Sequence, residues 1–542
     1  MAKQKYKRLW IAAGIALLLL LGMRQLPLYK RAEPRPFEGA YWYNPYEQVH
    51  AGEGRLHGEQ LANGGEQLAK GGEQVANGGE QVAKGGEQVA NGGEQVANGG
   101  EQVANGGEQV AKGGEQVANG GEQVANGGEQ LANGSEQVAN GGKRWLRANF
   151  HAHSNAWGGL TSGRKNTVDD ILFIYDSLGY DIIGISDYQH ITLEEGVWEN
   201  EQTGSRMLTI PVYEHGYNIK KTHQGVIGAR KVYWNDYILP QTRSQKQHVI
   251  KKLKEHGRLV VLHHPDWIGG YNKRDMRSLT GYDLFEVLND FWISEDLWDV
   301  ALSAGRPVML LAGDDAHNVF KPTDIARDFT MVFGDAGAVV DAPLIPESVG
   351  GGDELCLSVA EDVYKALEAG TSYGVEVTER LAYGTVAQKR AGLDALPVLE
   401  SCRIYADTLE VTLSGKARKF RFIGQDGRVL KEVEAMPERA EEGDGQTQEE
   451  TAEGGRLAGG SEGEGESEGE GEGEGEGEGE DAGGVSAFYI LRAEDTYVRV
   501  KVCLPDSTHL YLNPVMRTKT KGMKPVMPEI RKYRLFTIFG HD

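Results

Sequence analysis

The stretch Gly305-Arg-Pro-Val308-Met-Leu-Leu311-Ala-Gly-Asp314-Asp315-Ala316-His317 decides how the chain is read. A helical run over Glu295–Ser303 precedes it and stops at Gly305. Val308–Leu311 then reads as a buried strand, and acid and imidazole side chains follow at its carboxyl end. The same grammar recurs upstream. Thr167 caps a helix over Val168–Leu178, Gly179 ends it, Ile182–Ile185 is a strand, and Asp187 follows. Gln245–Glu255 is helical, Gly257 ends it, Leu259–Leu262 is a strand, and His263-His264-Pro265 follows. Asn149-Phe150 leads into His151-Ala152-His153, and the short strand Thr209–Tyr213 leads into Glu214. Ligand-type residues past successive parallel strands converge on one face of a (β/α) barrel, where barrel enzymes keep their sites.

His151, His153, Glu214, His264, Asp315 and His317 all occupy such positions. A mixed imidazole and carboxylate set suits zinc, manganese or iron, whereas an all-oxygen set suits magnesium or calcium. His263 competes with His264, and the residue before Pro265 is held extended. Asp314 reads as a turn residue and Asp315 as the ligand. Glu286 and Asn289 are candidates to line the site. His215, His248 and His256 read as surface residues, and Trp145, Trp157 and Trp267 flank the ligand motifs.

Phe150-His151-Ala152-His153-Ser154 resembles the opening His-x-His motif of PHP domains, the polymerase and histidinol phosphatase superfamily. Gly179-Tyr-Asp-Ile-Ile-Gly-Ile-Ser-Asp187 resembles its second motif and Pro211-Val-Tyr-Glu214 its third. His223 resembles the later single histidine, Leu262-His-His264-Pro265 the His-Pro motif, and Asp315-Ala-His317 the closing Asp-x-His. The resemblance implies a distorted seven-stranded (β/α) barrel and a phosphoesterase with two or three metals. It implies that His151, His153, Glu214 and Asp315 hold one ion, and that Glu214, His223 and His264 hold another. His317 and Asp187 would act beside them as catalytic groups, either forming a weak third site or orienting the ligands, with His317 also counted among the ligands. Two positions depart from the family pattern: Asp187-Tyr188 stands where Asp-His is usual, and Gly159 stands six residues after His153, where the family has a histidine. Both belong to the third site, so two divalent ions are expected. His190 is the candidate substitute. Asp495-Thr-Tyr-Val-Arg-Val and Leu512-Asn-Pro are similar to the PHP branch that includes carbamate-ester hydrolases.

The remaining chain sets the context. The net charge of −23 lies in two low-complexity segments, 58–142 and 441–481, which contribute −9 and −16. The rest is close to neutral, without the basic stripe that grips nucleic acid, so no nucleic-acid partner is expected. Cys356, Cys402 and Cys503 form no disulfide or zinc-knuckle spacing. Lys3, Lys5, Lys7 and Arg8 precede an apolar run over Leu9–Met23, which reads as a signal-anchor within 1–31, with the bulk of the chain exported. Secretion after cleavage is the alternative. Residues 32–57 read as a linker. Residues 58–142 repeat Gly-Gly-Glu-Gln-Val-Ala-Asn. Adjacent Val and Ala give no coiled-coil seam, and the glycines favour a disordered stalk over a glycine-rich repeat fold. The expected architecture is a PHP-like metallohydrolase barrel over 143–390 and a small all-β domain over 395–515. A disordered acidic insertion over 441–484 and a basic tail over 516–542 complete it. The substrate is expected to be a small-molecule or polymer ester, phosphoesters first and carboxyl or carbamate esters second. A non-catalytic surface protein that binds glycan or polymer is the alternative of another class.

Overall fold

The computed structural model describes residues 10–15, 29, 31–49, the strands between 61 and 133, and 143–159, 165–289, 292–335, 353–435 and 484–530. It is a mixed α/β structure with several sheets. Eight strands position the site: β1 (Lys143–Asn149), β2 (Ile182–Ile183), β3 (Val212–His215), β4 (Gln224–Ile227), β5 (Leu259–Leu262), β6 (Leu284–Asn289), β7 (Met309–Gly313) and β8 (Asp328–Asp335). Three helices accompany them: α1 (Val168–Ser177), α2 (Arg243–Leu253) and α3 (Glu295–Ser303).

The helices start where local chemistry sets them. Thr167 accepts a hydrogen bond from the Asp170 amide, and Asp170 accepts one from the Thr167 amide, closing a capping box. Thr242 and Gln245 repeat the device on α2. Behind α1, Gly179 turns the chain at φ +75, a conformation open to glycine. β5 and β7 are buried along their whole length, as strands covered on both faces must be.

Strand directions differ from the all-parallel expectation. β1 pairs β2 in parallel, and β5, β6 and β7 run in parallel order. In contrast, β4 is antiparallel to both β3 and β5, and β8 is antiparallel to β1. Two isolated parallel bridges join the two groups of strands, Ala152 to Ala316 and Tyr188 to Glu214. The strand expected over Thr209–Tyr213 is two strands, Arg206–Thr209 and β3.

The small β domain expected over 395–515 is not set apart. Its strands Lys419–Gly424, Tyr497–Cys503 and His509–Leu512 continue the sheet that contains β8 and β1, joined through Ser372–Glu376. Only Leu399–Tyr405, Thr408–Leu413 and Val485–Ile490 form a small sheet of their own among the described residues. Arg499 locks this region to α3. Its guanidinium donates through Nε and Nη2 to both oxygens of Asp299, and Tyr497 donates to the same carboxylate. Asn513 clips β7 by accepting from the Leu310 amide and donating to Ser372 O. The Asp495–Val500 and Leu512–Pro514 stretches therefore have a packing role in this chain.

Part of the linker expected over 32–57 is structural, since Tyr41–Tyr43 pairs with Val515–Thr518 and Phe37 is buried in the core. That same pairing takes the first residues of the basic tail into the sheet. Residues 436–483, most of the acidic insertion, lie outside the described residues, as does most of the apolar run Leu9–Met23. Among the described residues no helix is long and apolar enough to cross a membrane.

The described parts of the repeat, between 61 and 133, are short parallel strands in two sheets; the rest of the expected stalk over 58–142 lies outside the described residues. Strands fourteen residues apart align like with like, Val75 opposite Val89 and Val82 opposite Val96.

Candidate metal centre

Two short alanines explain how distant motifs meet. Ala152 and Ala316 pair in parallel and both are buried. Side chains alternate along an extended chain, so His151 and His153 share the face opposite Ala152, and the bridge sets Asp315 and His317 beside them. Asp315 adopts φ +50 and His264 φ +27. These departures end the strands and redirect the side chains beyond them. The Tyr188–Glu214 bridge brings Glu214 to the same place.

Glu214 is the hub. Its Oε1 lies 2.7 Å from His223 Nδ1, 3.2 Å from His264 Nε2 and 3.8 Å from His151 Nε2, and Oε2 lies 3.5 Å from His153 Nε2. Asp315 Oδ1 is 3.1 Å from His151 Nε2 and 3.0 Å from His153 Nε2. Four overlapping groups of potential ligand atoms result: His151, His264, Asp315; His153, Asp315, His317; Glu214, His223, His264; and His151, Glu214, His263. All seven residues expected as ligands fall in these groups.

The donor set fits divalent metal on the evidence of its orphaned atoms. His151 Nε2, His153 Nδ1, both His223 ring nitrogens, His264 Nδ1 and Glu214 Oε2 are buried without a hydrogen bond. Some of these lie close to carboxylate oxygens, yet at angles that give no hydrogen bond. Buried polar atoms are ordinarily satisfied, so a convergent group left unsatisfied is suited to coordination.

The charges respond to burial and to one another. For Glu214, burial favours the neutral acid, but His223 and His151 outweigh it and hold the pKa well below the usual range. Asp315 follows the same logic, with burial opposed by His151 and His153. Burial likewise opposes the His151 imidazolium, but Asp315 and Glu286 hold its pKa well above the histidine range. For His223, burial wins over Glu214 and the pKa is lowered.

Several expected roles change. Asp187, expected as a catalytic group, is tied elsewhere: its oxygens accept hydrogen bonds from the Ser154 amide, the Ser154 hydroxyl and the Thr192 hydroxyl. It anchors the loop behind His153. His190 is exposed, contacts Thr192 and Trp157, and lies outside the ligand groups. His317 is the partly exposed member of the cluster, and its Nδ1 donates to the Asp315 carbonyl at 2.6 Å. Asp314 is a turn anchor, accepting from the amides of Ala326, Arg327 and Asp328.

His263 and His264 both reach the centre. His263 stacks on His151 with ring centroids 3.9 Å apart, and its Nδ1 is 3.3 Å from Glu214 Oε1. A side chain at Gly225 would strike His263 Nε2, so that edge faces backbone. His264 is therefore the better partner for His223, and His263 a packing neighbour of His151. His215, expected at the surface, is buried and bonded through Nδ1 to Tyr233 O. Sequence reasoning gave Tyr188 no contact role, yet its ring stacks on His153 at 4.7 Å and meets His223 edge-on at 5.4 Å. The half-exposed Trp157 donates its indole N–H to Tyr188 O and meets the exposed Trp234 edge-on. Lys221 Nζ lies 5.8 Å from the Tyr188 ring centroid.

No protein-family model and no curated protein matches the sequence. Among solved structures, the chain is similar to a two-domain protein from Bacteroides vulgatus described as containing a predicted PHP-like metal-dependent phosphoesterase. The identity is 14%, the match covers 55% of this chain and 84% of that one, and the TM-score is 0.30. That similarity is too slight to transfer any residue's role.

Proposed function

We propose that the chain is a metal-dependent hydrolase, with phosphoesters as its leading substrate class. The observation that carries this is the convergence of His151, His153, His223 and His264 on two buried carboxylates, with His151 Nε2 and His223 Nδ1 beside them and left without a hydrogen bond. His151, His153, Glu214 and Asp315 would hold one divalent ion; Glu214, His223 and His264 would hold a second. Zinc, manganese and iron suit this donor set. Such ions supply Lewis acidity and a water nucleophile at neutral pH.

The chain's own residues do the rest. Glu214 holds both halves of the centre together from one carboxylate. His317 donates its Nδ1 proton to a backbone carbonyl, which fixes its tautomer and leaves Nε2 as the proton acceptor. Burial and His153 lower its pKa, so it is neutral at pH 7 and can take a proton from the attacking water and return it to the leaving oxygen. Lys221 stands where the negative charge of an arriving phosphoester would be attracted. Trp157 and Trp234 offer ring surface to an aromatic leaving group.

We also read β1 to β7, closed by the two isolated bridges, as a distorted (β/α) barrel of PHP type. Anchoring of an exported chain rests on the cations before Leu9 and the apolar run after them.

The test uses the full chain with its native metal. Aryl phosphates, phosphodiesters and aryl carboxyl esters are offered in parallel, and His151→Ala is the control. Hydrolysis of a phosphoester that falls at least a hundredfold in His151→Ala supports the reading. Preference for carboxyl esters would move the substrate class. Turnover on no ester, with metal bound, would favour a binding protein.

A further inference from the structure

Glu286 is a carboxylate at the centre that no proposed ligand role absorbs. It is fully buried on β6. Its Oε1 lies 2.7 Å from His151 Nδ1. The other oxygen, Oε2, accepts from the His264 backbone amide at 2.6 Å and from Asn289 Nδ2 at 3.1 Å. An ionised carboxylate is acceptor-only, so His151 Nδ1 carries the proton in that contact. The opposite nitrogen, Nε2, is then the one presented to Asp315 and Glu214.

The strand is shaped for this. Residues three apart on a regular strand face opposite sides. A register shift against β7 falls between Glu286 and Leu288, and such a bulge re-aims the residues around it. It puts Asn289 on the side of Glu286. Burying an ionised carboxylate costs several kcal/mol unless it is fully compensated, and three donors compensate this one.

We propose that Glu286 is the positioning residue of the metal centre: it fixes the tautomer and ring orientation of His151 and ties the His264 backbone to the same carboxylate. One group thus sets a ligand of each expected ion. Both its oxygens are occupied, and it falls in none of the convergent ligand groups, so it acts through the histidines. The inference rests on the proposed metal centre but not on turnover.

Glutamine is the discriminating substitution. Its side chain has one acceptor oxygen and one donor nitrogen, while Glu286 faces donors at both ends. In Glu286→Gln, either His151 Nδ1–H or the His264 amide meets another donor. The probe is cobalt(II), added to the full chain after chelator treatment, with affinity read by chelator competition and geometry by visible absorption. Ligand-orienting partners are worth about ten- to a hundredfold in metal affinity. The expected result is a loss of that size together with an altered cobalt spectrum, in a chain that still unfolds cooperatively without metal. A folded Glu286→Gln protein with parental affinity and spectrum would overturn the inference. If Glu286→Gln does not fold, Asn289→Ala decides, because it removes one donor and leaves the charge. Weakening of threefold or more with a shifted spectrum supports the role, and parental behaviour overturns it. A parent chain that takes up no cobalt overturns the metal centre itself, and this inference with it.

Discussion

His263 and His215 are imidazoles that the fold keeps neutral. Burial pulls each pKa down to about 4, against about 6.5 in an unfolded chain. Between those values the unfolded chain binds protons that the folded chain refuses, so stability falls as the pH drops through that window. His151 has the opposite sign. Its raised pKa contributes stability that is complete below about 6.5 and lost only as the pH rises through the folded value. The metal-stripped chain should therefore lose melting temperature from pH 7 to pH 4.5, and His215→Gln should flatten that acid limb. A melting temperature that is level across this range would contradict the assignment. Trp157 gives a second prediction at this scale. Trp157→Ala should raise KM for an aryl phosphate several-fold and leave KM for an alkyl phosphate nearly unchanged; equal effects on both would remove the aromatic contact. Most of the candidate ligand residues could be read from sequence because His151, His153, His264, Asp315 and His317 follow strands; Glu214 lies within β3, and His223, just before β4, was legible only through the motif resemblance. The position of Asp187 behind His153 was not legible, for an equally physical reason. Its partners, Ser154 and Thr192, are fixed by the fold, and nothing in the local motif shows that they consume the carboxylate.

At the scale of elements, the bounds of α1 and α3 were readable within a residue, α2 starts and ends two residues before the expected Gln245–Glu255, and strand directions were not readable. Thr167 and Thr242 carry capping chemistry in the sequence itself. β4 runs antiparallel, but a fully buried strand has the same apolar run in either direction. The strand pairing in the repeat was not legible because paired strands lie fourteen residues apart, two copies of the visible period. Asn513 shows one side chain acting as a strand partner for β7. Asn513→Leu leaves the buried Leu310 amide and Ser372 carbonyl without it. The cost should be about 1–3 kcal/mol for an unsatisfied buried group, read as a lower denaturation midpoint with the slope unchanged. No change in midpoint would show that the clip is dispensable.

For the whole molecule, the junction between α3 and the C-terminal strands decides whether the chain behaves as one unit. Arg499 is nearly fully buried and paired with Asp299 and Glu295. Arg499→Met leaves the buried Asp299 charge without its guanidinium partner, a change that costs about 3–5 kcal/mol. Unfolding should shift to lower denaturant in a single transition. Two separated transitions would mean that the C-terminal strands form a unit of their own, as the composition alone suggests. The acidic segments obscured this continuity, because they divide the sequence without dividing the sheet.

The most direct test of the central claim counts metal. The full chain, purified without chelator and analysed by mass spectrometry for zinc, manganese and iron, should carry about two divalent ions. His151→Ala and His264→Ala should each carry fewer. A parent chain with no tightly bound ion, unchanged by either substitution, would contradict the account.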